Sequence, residues 1–150
     1  RRRRGPAARA AQMIALDTNV IARFYVDDPS DPEAALQRPA ARRVFESGSA
    51  LFVPVTVVLE LEWVLRAFYG FKPAQFVQVV RHLAGLPHVT LDAAPMVLTA
   101  LDHHAKGLDF ADALHLCASA RCESIASFDD RKFARRAARL KLRPEVTVPA

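Results

Sequence analysis

Four short apolar segments of this 150-residue chain end in, or enclose, a carboxylate. Asp17 follows Ile14-Ala15-Leu16, Glu60 lies among Val57, Val58, Leu59 and Leu61, and Asp129 closes the run Ser127-Phe128-Asp129 shortly after Ser124-Ile125-Ala126. Asp109 and Asp112 stand three apart, which on a helix puts them about 60° apart on one face. A buried carboxylate without a partner is costly, and several together repel one another, so acids gathered at one end of a sheet require cations. No Arg or Lys stands at a matching spacing, and a divalent metal is the natural countercharge. Oxygen-only donors favour Mg²⁺ or Mn²⁺ over zinc. Singly, each acid also has an ordinary structural use: Asp17 and Asp109 are good N-caps, Asp129 suits a turn, and Glu60 can face water. Glu62 lies roughly 160° round the helix from Glu60, so only one of the two can face a shared site, and periodicity does not choose between them.

The elements that must position these acids alternate between short apolar runs and longer amphipathic ones. Strands are expected at 13–16, 50–53, 88–91 and 124–126, with an edge strand at 146–148. Helices are expected at 19–26, 31–47 with a kink or restart at Pro39, 55–69 closed by Gly70, 73–83, 93–106, 109–120 and 130–140. Strands separated throughout by one or two helices predict a single α/β domain with a mainly parallel central sheet, in which ligands bind beyond the carboxyl ends of the strands. No repeat and no Gly/Ser linker divides the chain.

Composition is that of an ordinary globular domain, 51% apolar and 25% charged, with a mean hydropathy of +0.06. The formal net charge of +5 first suggests a polyanion partner. It is unevenly spread. Arg1 to Arg4 and Arg9 lie in the first twelve positions with no acid among them, which leaves 16 basic and 16 acidic residues from Met13 onward. Residues 1–12 are therefore expected to be a disordered basic extension and 13–150 the folded domain. The arm lacks the unbroken apolar stretch of a signal peptide, and no run approaches the roughly 20 apolar residues of a membrane span, so a cytoplasmic protein is expected. Cys117 and Cys122 have no paired-ligand spacing and are expected to be reduced and buried.

Asp17-Thr18-Asn19-Val20 after an N-terminal strand, Glu60 within Thr56-Val57-Val58-Leu59-Glu60-Leu61, Asp109-Phe110-Ala111-Asp112-Ala113-Leu114, and Ser127-Phe128-Asp129 resemble, in order, the four signature segments of PIN-domain ribonucleases. Size and segment order are similar to those of VapC-type toxins of type II toxin–antitoxin modules. The resemblance covers Met13 to about Phe133. It implies an α/β/α fold whose acids bind Mg²⁺ or Mn²⁺ and hydrolyse RNA phosphodiesters. On this likeness Asp17, Glu60, Asp112 and Asp129 match the acidic quartet, Asp109 is an additional metal-side acid, and Thr18, Asn19 and Ser127 are polar groups that orient the ligands. Asp130 adjoins Asp129, but Asp129 keeps the Ser-x-Asp spacing. The expected chemistry is water attack on the phosphate with metal assistance, leaving 5′-phosphate and 3′-hydroxyl ends. A cognate antitoxin and a homodimer are implied by the resemblance alone.

On helix 130–140, Arg131, Lys132, Arg135, Arg136 and Arg139 fall within about 140° of arc, either as a solvated face or as a stripe that meets RNA backbone. Arg23, one turn beyond Asn19, is a further RNA-contact candidate beside Arg131, Lys132 and Arg135. His115 can share the face of Asp112, His103 and His104 must diverge, and Trp63, Phe68 and Phe71 can stack bases or meet an apolar surface. Two other functions compete. A haloacid dehalogenase-type phosphatase also starts with Asp after a strand, but wants a second Asp where this chain has Asn19. A catalytically silent RNA-binding or regulatory PIN-like module often lacks part of the quartet, whereas all four positions are acidic here.

Overall fold

The computed structural model describes residues 12–150. The expected basic extension, 1–12, lies outside the described residues apart from Gln12. The chain begins with β1 (Ile14–Ala15), α1 (Thr18–Tyr25), α2 (Pro32–Glu46), β2 (Leu51–Val53), α3 (Val55–Tyr69), α4 (Pro73–Gly85) and β3 (Val89–Leu91). It continues through α5 (Ala94–Ala105), α6 (Phe110–Ala118) and β4 (Ser124–Ala126) to a π-helical turn (Asp130–Ala134), α7 (Arg135–Arg139) and β5 (Glu145–Thr147). The architecture is the predicted mixed α/β domain, and every strand pair is parallel, so each crossover between paired strands carries helices.

Pairing divides into two ladders, β1-β2-β3 and β4-β5. In the first, register puts Leu51 beside Val89 and Val53 beside Leu91, and all four are buried on one face. The opposite face is thinner: Phe52 is half-buried and Thr90 exposed. The core is closed by Ile21 from α1, Leu61 and Leu65 from α3, Phe76 and Leu83 from α4, Leu101 from α5, and Phe110 and Leu116 from α6. At roughly 25 cal/mol per Å² of buried apolar surface, this cluster is the main stabilising term of the domain.

Local chemistry sets the ends of the helices that matter for the site. Asp17 accepts a hydrogen bond from the Thr18 amide at 2.8 Å and starts α1, and Asp31 accepts from the Glu33 amide with Pro32 at the first helical position of α2. Pro39 was expected to kink or restart this helix. There is no restart: α2 runs through Pro39, which sits on the exposed side of the helix. Gly70 adopts φ 65°, the left-handed conformation that closes α3, and its amide donates to the Arg66 carbonyl at 3.1 Å. The cysteines are both free, but neither is buried as expected: Cys117 is half-buried and Cys122 exposed. The helix that precedes it ends at Ala118, so Cys122 falls in a surface turn. Among the described residues no helix is long and apolar enough to cross a membrane.

Candidate active site

Asp109, Asp112 and Asp129 line one cavity of about 470 Å³. Two helix starts bring them there. Asp109 caps α6, its Oδ2 accepting from the Asp112 amide at 3.3 Å, and the Asp109 carbonyl accepts from the Ala113 amide at 2.8 Å, which fixes Asp112 in the first turn. Asp129 caps the π-helical turn: its Oδ1 accepts from the Lys132 amide at 2.9 Å, while its own amide donates to Ser127 Oγ at 3.1 Å. Ser127 thus holds the Asp129 backbone at the start of this turn. The Ala134 amide reaches back to the Asp129 carbonyl at 3.0 Å, five residues away, and such π turns recur at functional sites. Burial pushes the Asp112 carboxyl above its usual range, Asp109 and Asp129 push it further, and His115 and Arg136 partly offset them. Lys132 and Arg136 stand in the same cavity wall, and Arg136 donates to the Gly107 carbonyl at 3.1 Å.

Asp17, Thr18, Asn19, Arg23 and Glu60 line a second cavity, of about 360 Å³. Arg23 is fully engaged there: Nε donates to Gln37 Oε1 at 3.0 Å, one terminal nitrogen to Tyr69 Oη at 2.8 Å, and the other lies 3.7 Å from Asp31. Thr18 is buried, and among the described residues its Oγ1 has no hydrogen-bond partner. A depression of about 430 Å³ shares Glu60 with this cavity and Glu62, Arg66 and Asp109 with the Asp112 cavity.

The sequence-derived acids therefore fall into two groups. Asp109, Asp112 and Asp129 share one cavity, Asp17 and Glu60 the other. Glu60 and Glu62, expected to be unable to face one shared site, line different cavities. Their opposed directions aim them at different acidic groups, Glu60 toward Asp17 and Glu62 into the cavity of Asp112. Glu62 is 6% exposed and accepts from Arg66 Nε at 2.8 Å, which keeps the Arg66 guanidinium firmly charged. Of the RNA-contact candidates, Lys132 lines the Asp112 cavity and Arg23 the Asp17 cavity; Arg131 is exposed outside both, and Arg135 is held by Asp130 at 2.7 Å.

No Arg or Lys was expected beside the acids, yet Arg66, Lys72, Lys132 and Arg136 line this cavity, because tertiary packing brings them there. Lys132 and Arg136 belong to the basic stripe read from the sequence; Arg66 was not singled out, although it stands four residues after Glu62. Phe71, one of the aromatic candidates, lines this cavity, whereas Trp63 and Phe68 do not; Lys72 beside it had no signal, since only tertiary packing brings the turn between α3 and α4 to α6. His103 and His104 diverge as expected. His104 is buried with Nδ1 2.7 Å from the Leu108 carbonyl oxygen, and His103 has its pKa lowered chiefly by burial. His115 is exposed. Trp63 and Phe68 are 51% and 68% exposed and meet edge to face, ring centroids 5.4 Å apart.

A family model described as PIN domain matches residues 14–139. The chain belongs to the PIN-domain family. No curated protein matches it. The match gives the chain a nuclease-type fold, covers all of the acids above, and leaves the dehalogenase-type alternative without support. PIN-domain nucleases typically work with divalent metals, and the donor chemistry of this PIN domain fits one. The Asp112 cavity offers hard oxygen ligands, one of them, Asp112, raised first by burial and then by the neighbouring acids, and a divalent cation offsets both. Among the described residues no three or more His, Cys, Asp or Glu form a group able to hold a metal by themselves.

Proposed function

We propose that this PIN domain is a Mg²⁺- or Mn²⁺-dependent endoribonuclease, working in the cytoplasm as the toxin of a toxin–antitoxin pair, as a homodimer held inactive by a cognate antitoxin. The observation that carries the nuclease reading is the Asp109, Asp112 and Asp129 cavity, with the Asp112 carboxyl raised by burial and by its neighbours, and a basic wall beside it. Asp112 and Asp129 would hold the metal, with Asp109 beside them. When bound, the metal supplies countercharge for the phosphate and lowers the pKa of an attacking water. Ser127 keeps Asp129 in place through the Asp129 amide, and the Asp129 carboxylate keeps Oδ2 available while Oδ1 holds the π turn. Lys132 and Arg136 bind the RNA backbone and set its register against the acids, a contact that carries no base information. Asp17, Asn19 and Glu60 extend the acidic surface along the depression that shares residues with both cavities, and the unpartnered Thr18 Oγ1 is available to orient a ligand at Asp17.

Incubation of purified protein with an RNA pool tests this. Cleavage is expected with Mg²⁺ or Mn²⁺, with 5′-phosphate products, and is expected to stop with EDTA and with Asp112→Asn. Cleavage that survives both would overturn the metal mechanism. The toxin role predicts growth arrest on expression of the wild type but not of Asp112→Asn. A second reading, a catalytically silent RNA-binding module, is favoured by one observation: the acids form two groups, and Asp17 does not line the cavity of Asp112. RNA binding without cleavage across a broad pool is the result that would select it.

A further inference from the structure

The Asp112 cavity has a wall that the phosphodiester chemistry leaves unused. Besides the acids, the lining includes Phe71, Lys72 and Pro73, where α3 passes into α4, together with Phe76 and His104. This turn is held at both ends. Gly70 closes α3 in the left-handed conformation, and the Phe71 amide donates to the Leu65 carbonyl at 3.0 Å. On the other side the Lys72 amide donates to Gln75 Oε1 at 2.8 Å, and the Lys72 carbonyl accepts from the Gln75 and Phe76 amides at 2.9 and 3.1 Å. Phe76 is 2% exposed and packs edge to face on Phe110, ring centroids 4.9 Å apart, so it is a fixed floor. Phe71 is half-buried and is the ring that a ligand can reach. Lys72 is exposed and, among the described residues, has no ion-pair partner; the same holds for Lys132, which also lines the cavity.

One cavity thus combines an accessible aromatic ring, two ammonium groups free to meet an anion, and the acids. Its volume lies within the roughly 300–1,000 Å³ of small-molecule sites. A flat, weakly polar ring joined to a phosphate matches that combination, whereas an isolated inorganic anion leaves the aromatic wall unused. We propose that the cavity is a nucleotide subsite: Phe71 stacks on an unpaired base next to the cleaved phosphate, and Lys72 holds that nucleotide's own phosphate. The subsite rests on the nuclease reading and names its substrate more closely, as RNA with an unpaired nucleotide at this position. Because the stacking ring is held by the closed turn, little ordering is needed on binding.

The test is calorimetric titration of the full chain, in Mg²⁺, with a nucleoside 5′-monophosphate, ribose 5-phosphate and inorganic phosphate. The nucleotide is expected to bind about tenfold more tightly than ribose 5-phosphate, the scale of one aromatic–base stack. Phe71→Leu, which keeps apolar packing, is expected to abolish that difference, and Phe71→Trp to keep it. Lys72→Gln is expected to weaken all three probes together and leave the base difference intact. Equal affinity for the nucleotide and ribose 5-phosphate, or a base difference unchanged in Phe71→Leu with an unaltered Tm, overturns the subsite. The two readings fail separately. A chain that cleaves RNA yet shows no base preference loses the subsite alone, and one that binds nucleotides through Phe71 yet leaves RNA intact loses the nuclease reading alone.

Discussion

The two acidic cavities contain similar residue types and differ in how their charges are used. Around Asp17, charge is largely spent on structure: the Asp17 carboxylate caps α1, and the Arg23 guanidinium is divided among Gln37, Tyr69 and Asp31. Around Asp112, charge is left over. Its carboxyl is raised by burial and by two neighbouring acids, and Lys132 stands in the same wall with no ion-pair partner among the described residues. Capping does not separate the two groups, since Asp109 and Asp129 cap helix starts as Asp17 does. What separates them is the burial of Asp112 beside two other acids, and a lining that also carries Arg66, Lys72, Lys132 and Arg136, so that a metal and a phosphate both find counterparts there.

The largest expected effect asks whether the cavities act as one site. Asp112→Asn is expected to lower kcat/KM for RNA cleavage by about two to four decades, the scale of several kcal/mol of metal-assisted stabilisation at 1.36 kcal/mol per decade. Asp17→Asn is expected to cost a similar factor, since one depression is lined by both Glu60 and Asp109. A loss below tenfold for Asp17→Asn, beside a full loss for Asp112→Asn, would reduce the Asp17 cavity to a structural role. Both variants keep a side-chain oxygen at the helix cap or first turn, so both should fold.

A smaller effect separates Glu60 from Glu62. Glu60 is exposed between the cavities, so Glu60→Gln is expected to reduce cleavage while Tm stays unchanged. Glu62 is buried and ion-paired to a half-exposed Arg66, so Glu62→Gln is expected to cost about 1 kcal/mol of stability. In a domain of this size that is about 2–4 °C in Tm, readable by calorimetry. The opposite pattern, with Glu60→Gln destabilising and Glu62→Gln neutral in Tm, would exchange the two assignments.

Local signals carried most of the architecture. Helix α3 could be bounded at 55–69 because an apolar run ends in a glycine, and β4 at 124–126 because a short apolar run stands between polar turns. Asp109 and Asp112 were brought together by helical spacing alone, which is a local property. What stayed illegible was long-range. The spacing of residues 71 and 72 does not reveal that the turn between α3 and α4 faces α6, and the burial of Glu62 follows from packing on every side of α3. The division into two ladders likewise depends on which strand edges meet, and β1, only two residues long, has little pattern with which to announce its neighbours. As to a restart, Pro39 misled for the opposite reason: a strong local breaker was overridden because its helix buries Ala34, Ala41 and Phe45 on either side of it.

The smallest effect bears on charge balance without any RNA. A carboxyl whose pKa is higher in the folded chain than in the unfolded one binds its proton more tightly when folded. For Asp112 that contribution to stability is fully present below the unfolded value near 3.8 and is lost as pH rises through the raised folded value. In metal-free protein at pH 7 the ionised Asp112 is therefore a liability, and Asp112→Asn removes it. Because Asp112 is only partly buried, solvent screening keeps the gain small, about 1–2 °C in Tm. The gain should shrink toward pH 4, where the wild-type carboxyl is increasingly protonated. Mg²⁺ at pH 7 should raise Tm for the wild type and much less for Asp112→Asn. Asp17→Asn should give no such gain in EDTA, since the Asp17 carboxylate already meets the Thr18 amide. An equal rise in both variants would mean that the two cavities carry the same unbalanced charge.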